Sequence, residues 1–128
     1  GLLVSLVSPL NKVLGLGSAK GGSEHWWVQR LSAVALVPLG LWLMASIAAL
    51  PDYDFASVSN WMAGPLNSIF LILLMLIMTY HSWLGVQVVV EDYVHGATKT
   101  ASLIASTLAH WFVACAGVYS VLRIGFGA

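Results

Sequence analysis

The residues of this sequence best suited to chemistry in an apolar setting are two histidines inside long uncharged stretches. His81 lies within residues 64–90, which contain no Asp, Glu, Lys or Arg, and His110 lies within a similar stretch at 100–122. A neutral imidazole surrounded by apolar groups either hydrogen-bonds a neighbouring helix or ligates a metal, for instance as an axial ligand of haem iron. Gly85 follows His81 by one helical turn, where a missing side chain admits a flat macrocycle or another backbone. Spacing alone leaves both roles open.

A second reactive group stands further along the same segment. His81 and Asp92 are eleven residues apart, close to three helical turns, so they share a helix face. Tyr93 lies about 100° around the helix from Asp92. A carboxylate and a phenol at this position can hydrogen-bond a polar ring that enters from lipid, or they can form a solvated helix end. The residue types fit either interpretation.

Composition defines the environment of these groups. The chain has 128 residues, of which 59% are hydrophobic and 8% charged, whereas a soluble domain carries about 25% charged residues. A soluble fold of this length cannot bury so much apolar surface, which excludes a water-soluble enzyme. Five basic and five acidic residues give no net charge, so there is no basic patch for nucleic acid. Cys115 is the one cysteine and can form neither an internal disulfide nor a cysteine-only metal site.

The uncharged stretches predict an all-α membrane protein with three transmembrane helices. About 20 apolar residues cross a hydrocarbon core of about 30 Å, and the sequence offers such stretches at about 27–50, 65–91 and 101–125. In lipid, a single segment can hydrogen-bond all of its own backbone N–H and C=O groups only as a helix. The predicted organisation is an N-terminal cytoplasmic or interfacial segment at 1–26, followed by a three-helix transmembrane anchor at 27–128.

Basic residues predict the orientation of the spans. Lys12 and Lys20 precede the first span, Arg30 lies at its N-terminal end, and Lys99 lies between the second and third. The loop at 51–61, after the first span, holds two aspartates and no basic residue. Because basic loops stay on the cytoplasmic side, the N-terminus is predicted inside and the C-terminus outside. Arg30 is then either a head-group anchor or the partner of an anionic ligand group at the inner surface.

Taken together, these positions resemble a known family. His81, Gly85, Asp92 and Tyr93 on the second of three helices, with Arg30 at the start of the first, look like the small cytochrome b subunits of succinate dehydrogenase, the hydrophobic membrane anchors of respiratory complex II. The match extends over most of the chain in span number and direction. It implies a subunit that is not catalytic alone and that lies in the bacterial inner (cytoplasmic) membrane or the mitochondrial inner membrane.

The resemblance also implies cofactors, partners and residue roles. The cofactors are haem b and ubiquinone. His81 matches the axial ligand of the haem iron, the second ligand coming from another membrane subunit. Tyr93 matches a hydrogen-bond donor to ubiquinone, Asp92 its acidic neighbour, and Arg30 a cation near the haem propionates and the quinone site. The implied partners are a second cytochrome b membrane subunit, an iron–sulfur subunit and a flavoprotein subunit.

Other functions remain compatible with the residues. The chain could be a haem-free structural anchor, or the anchor of a fumarate reductase, which runs the opposite reaction. A self-contained cytochrome with His81 and His110 as paired ligands is a further alternative, because both lie about 14–16 Å from the predicted inner surface at 1.5 Å per residue. A small transporter subunit without cofactor is disfavoured, since no acidic residue lies between the ends of a span.

Overall fold

The computed structural model describes the backbone of residues 18–127, with the side chains of residue 24 and residues 26–127. The chain divides between Leu31 and Ser32 into two compact units. The described range is helical and contains no strand, which confirms the all-α prediction for that range. Its helices, in chain order, are α1 (Ser18–Ala49), α2 (Phe55–Ala63), α3 (Pro65–Tyr93) and α4 (Ala97–Gly125).

Three of these helices are long and apolar enough to span a membrane. The candidate spans within the described residues are Trp26–Ala49, Pro65–Tyr93 and Ala97–Gly125, which confirms the three predicted spans. The third begins before its predicted start at 101, because Lys99 lies within the first turn of α4 without interrupting it. Helix α1 begins at Ser18, inside the segment that was predicted as separate. The interfacial character predicted for residues 1–17 lies outside the described residues.

Helix α2 occupies the region that the sequence analysis predicted to be a loop. Asp54 caps it, since its Oδ1 atom accepts a hydrogen bond from the Ser57 amide at 2.8 Å. Hydrogen bonds from Ser57 lower the pKa of the Asp54 carboxyl, the larger effect coming from the Ser57 backbone and the smaller one from its side chain. Trp61 stacks on Trp42 of α1, with ring centroids 5.6 Å apart. A short capped helix therefore replaces the predicted loop, and its tryptophan packs against α1.

Helices α3 and α4 pack closely against each other. Gly96, in the turn between them, adopts a φ of +71°, which favours glycine because a Cβ is strained in this region. Further along, Gly117 of α4 lies so close to α3 that a Cβ would overlap with Met75 Sδ. Trp83 Nε1 donates to Thr107 Oγ1 at 2.9 Å across the same interface. The pair is thus held by packing of the Met75 side chain against the bare backbone at Gly117 and by a hydrogen bond between two apolar helices.

Little of the apolar surface is buried within this chain. Among the described residues the buried apolar side chains are Leu74, Leu84 and Val121. Large side chains on every long helix remain exposed, such as Val34, Ile69 and Trp111. Such a surface requires lipid or another apolar protein around it.

Candidate functional site

His81 lies midway along α3 and is tied to α1 by a hydrogen bond. The distance between His81 Nδ1 and Ser32 Oγ is 2.8 Å. Ser32 is only 8% exposed, and it is the buried polar residue among those described. The bond fixes one nitrogen of the imidazole and limits the rotation of the ring. The sequence analysis did not single out Ser32, because a lone serine in an apolar span carries no pattern of its own.

The surroundings of His81 fit a planar macrocycle bound through the other ring nitrogen. Among the described residues no hydrogen-bond partner is found for His81 Nε2. A Cβ built on Gly85 has no heavy atom within 4 Å, so the space beside that turn is open. Met78 and Val88, at helical spacing from His81 and Gly85, lie on the same face of α3 and are 51% and 56% exposed. One available nitrogen beside open space and apolar side chains is the environment that an axial haem ligand requires.

His110, in contrast, has both ring nitrogens engaged. Its Nε2 lies 3.0 Å from Ser82 Oγ of α3, and its Nδ1 lies 2.7 Å from the carbonyl oxygen of Ser106. His110 therefore joins α4 to α3 and cannot ligate a metal without losing one of these bonds. Because His81 and Ser82 are about 100° apart around α3, His81 turns to α1 while Ser82 turns to α4. This arrangement argues against the self-contained cytochrome.

Asp92 and Tyr93 form the exposed end of α3. The Tyr93 side chain is 79% exposed, and Val94 caps the helix directly after it. Neither Asp92 nor Tyr93 has a hydrogen bond to another described side chain. Tyr93 stands twelve residues after His81, which corresponds to about 18 Å along the helix. The structure therefore places the predicted phenol and carboxylate together at one end of α3, available to a ligand or a partner.

Arg30 belongs to the compact unit that ends at Leu31, whereas His81, Asp92 and Tyr93 belong to the other. Its guanidinium carbon lies 5.1 Å from the centroid of the Trp26 ring, within the range of a cation–π interaction. Trp26 and Trp27 meet edge to face at 5.1 Å. The stacked tryptophan restricts the conformations of the Arg30 side chain at the start of the first span.

An open groove between α3 and α4 is a feature that the sequence analysis missed. It has a volume of about 800 Å³. Its wall includes the aromatic residues Tyr80, Trp83, Trp111 and Tyr119, together with His110. The spacing of these aromatics along both helices was the available signal.

Comparison with known proteins gives a consistent result. Residues 6–122 match the family model described as "Succinate dehydrogenase/Fumarate reductase transmembrane subunit". The chain is 30% identical over 122 residues to the succinate dehydrogenase hydrophobic membrane anchor subunit of Paracoccus denitrificans, covering 95% of both chains. It is 40% identical over 83 residues to the subunit of the same name from Rickettsia bellii, covering 65% of this chain and 66% of the relative. The succinate dehydrogenase membrane anchor subunit of Reclinomonas americana is 34% identical over 88 residues, covering 66% of this chain and 73% of the relative.

Proposed function

Since this chain belongs to the succinate dehydrogenase/fumarate reductase transmembrane subunit family, we propose that it anchors a succinate:quinone oxidoreductase in the membrane and contributes to a haem b site and a ubiquinone-reduction site. The observation that carries the proposal is His81, held through Nδ1 in the middle of α3 beside the open space at Gly85. The chain is a membrane subunit and does not catalyse succinate oxidation by itself.

His81 would ligate haem iron through Nε2. A bound haem would supply single-electron chemistry, and a histidine of the other cytochrome b membrane subunit would provide the second ligand. Gly85 leaves room for the macrocycle, and Arg30 would pair with a propionate. The fit rests on the available nitrogen and the apolar flank, and a shared ligand pair would also join the two membrane subunits.

Tyr93 would bind ubiquinone at the inner membrane surface. Its phenol can donate a hydrogen bond to a quinone carbonyl oxygen, and this bond strengthens as the oxygen gains negative charge during reduction. Asp92, the adjacent carboxylate, would order water or accept a proton near the same position. Arg30, a cation at the start of the first span, would stabilise negative charge on the reduced quinone. The exposure of Tyr93 means that the remaining walls of the pocket would come from partner subunits.

The surface of the chain suggests where its partners bind. The exposed apolar faces of α1, α3 and α4 would contact lipid and the second cytochrome b membrane subunit. The turn at 94–96 and the N-terminal segment would lie inside and meet the iron–sulfur subunit, with the flavoprotein subunit beyond it. The membrane would be the bacterial inner membrane or the mitochondrial inner membrane.

The family also includes fumarate reductase subunits, which favour the opposite direction. The relatives compared above carry the name of succinate dehydrogenase, which supports succinate oxidation for this chain.

The anchoring role can be tested by purifying the complex through an affinity tag on this chain. We expect flavin, iron–sulfur clusters and succinate-dependent ubiquinone reduction to purify with it. In cells that lack the chain, succinate oxidation with an artificial acceptor should move from the membrane to the soluble fraction. Activity that remains fully on the membrane without the chain would contradict the proposal.

A further inference from the structure

Ser32 is a buried residue of α1, and its hydroxyl oxygen lies within hydrogen-bonding distance of a histidine nitrogen. It is 8% exposed, and its Oγ lies 2.8 Å from Nδ1 of His81 on α3. Burying a hydroxyl among apolar groups costs free energy unless it is hydrogen-bonded. The hydrogen bond with His81 helps to offset that cost. Ser32 therefore contacts the imidazole through its one polar side-chain group.

We propose that Ser32 is the positioning residue that sets the tautomer, the ring plane and the electron-donating strength of His81. This inference rests on the proposed role of His81 as a haem ligand. An imidazole that ligates iron through Nε2 carries its proton on Nδ1. That N–H then donates to Ser32 Oγ, as ligating histidines do to an outer acceptor. The orientation of the ring is thereby fixed from α1, while the ligand itself belongs to α3.

The type of acceptor has an electronic consequence. A hydrogen bond accepted from Nδ1–H makes the imidazole a stronger electron donor, and a stronger donor stabilises ferric over ferrous iron. A neutral hydroxyl does this more weakly than a carboxylate would, because it carries no charge. Ser32 therefore holds the haem potential below the value it would have without any acceptor, but only moderately.

A purely structural contact between α1 and α3 would have a different effect. It would change the stability of the helix pair but would leave the electronic properties of the ligand as they are. The chain provides a matched contact for comparison, since Ser82 Oγ lies 3.0 Å from His110 Nε2. Ser82 directly follows His81 in the sequence, and its bond likewise joins a serine to a histidine on another helix. His110, however, is not a proposed ligand.

The experiment compares the S32A, S32T and S82A variants in the purified, assembled complex. The measurements are the midpoint potential of the haem by redox titration and the g values of the low-spin ferric signal by electron paramagnetic resonance. We expect S32A to raise the potential and shift the g values, because Nδ1–H loses its acceptor and the ring turns. S32T keeps the hydroxyl and should have the wild-type midpoint potential and g values. S82A should also match the wild type in both measurements. Complete loss of haem from S32A with retention in S32T would also support the proposal.

Two results would overturn it. One is wild-type potential and g values in S32A; the other is an equal change in S32A and S32T, since the hydroxyl would then not be the cause. The H81A variant distinguishes this failure from that of the proposed function. If H81A keeps the wild-type haem signal, the ligand assignment itself is wrong; if H81A loses it while S32A is unchanged, only the role of Ser32 is wrong.

Discussion

At the scale of single residues, His81 and His110 both lie in long uncharged stretches of the sequence, but their hydrogen-bond partners in the fold differ. His110 is hydrogen-bonded at both nitrogens, whereas His81 is bonded at Nδ1 by Ser32. Sequence spacing identified both as polar groups inside spans but could not separate them, because hydrogen-bond partners on other helices depend on the packing. The resemblance to a family selected His81, and the packing supports the same choice.

The phenol of Tyr93 provides a prediction at this scale. Replacing Tyr93 with Phe removes the hydrogen-bond donor and leaves the ring in place. If the phenol contributes a net hydrogen bond of about 1.4 kcal/mol in the reduction step, succinate-dependent ubiquinone reduction should fall about tenfold. Succinate oxidation with an artificial acceptor should be retained, since it does not use the quinone site.

The matched control is Tyr53→Phe. Tyr53 is also exposed, but its hydroxyl donates to the Ile47 carbonyl near the other end of the spans, and its loss should leave both activities unchanged. If Y93F lowered both activities to the same extent, Tyr93 would serve assembly rather than quinone chemistry.

At the scale of elements, the absence of charge predicted the three spans, and the remaining features depended on local contacts. Helix α2 was missed because its nine residues are too few for a periodic pattern, and the cap by Asp54 acts through a single hydrogen bond. The groove between α3 and α4 was missed because its shape depends on how closely the two helices approach. Gly117 lies at their contact, where the Met75 side chain occupies the space of a Cβ, and sequence alone does not show which glycine lies at a helix contact.

The contact at Gly117 leads to a prediction. A methyl group in the G117A variant would overlap with Met75 Sδ, so α3 and α4 must separate or Met75 must adopt another rotamer. Overpacking costs about 1–3 kcal/mol where the neighbour is rigid, and the flexible Met75 side chain places this contact at the lower end of that range. We expect the detergent-solubilised complex to unfold at a lower temperature, as followed by a thermal shift assay.

Gly40 is the matched control for this substitution. It lies in the interior of α1, and a Cβ built there has no neighbour within 4 Å. G40A should therefore leave the unfolding temperature unchanged or raise it, because alanine favours the helix over glycine. Equal destabilisation by both variants would show that the close contact with Met75 is not the cause.

At the scale of the whole molecule, the part of the chain that the structure describes exposes apolar surface and has no extensive core of its own. Within the described residues only a few apolar side chains are buried, which is what a subunit embedded in lipid and partner proteins requires. Composition predicted this from the start. The placement of partners on particular faces was beyond the sequence, because the complementary surfaces belong to other chains.

The proposed orientation can be tested by thiol labelling in intact cells. In a Cys115→Ser background, the A56C variant places a thiol in α2 and the T98C variant places one in the first turn of α4, both at exposed positions. With the N-terminus inside, a membrane-impermeant maleimide should label A56C in intact cells. T98C should be labelled only after permeabilisation, and the reverse pattern would contradict the orientation.

The most direct test of the central claim is the reduced-minus-oxidised absorbance spectrum of the purified complex with the H81A variant, compared with H110A. If this chain ligates a shared haem through His81, the b-type signal should be lost or strongly shifted in H81A. The same signal should persist in H110A, whose histidine is engaged in bonds between helices. An unchanged b-type spectrum in H81A would contradict the account, because the haem would then be held without this imidazole.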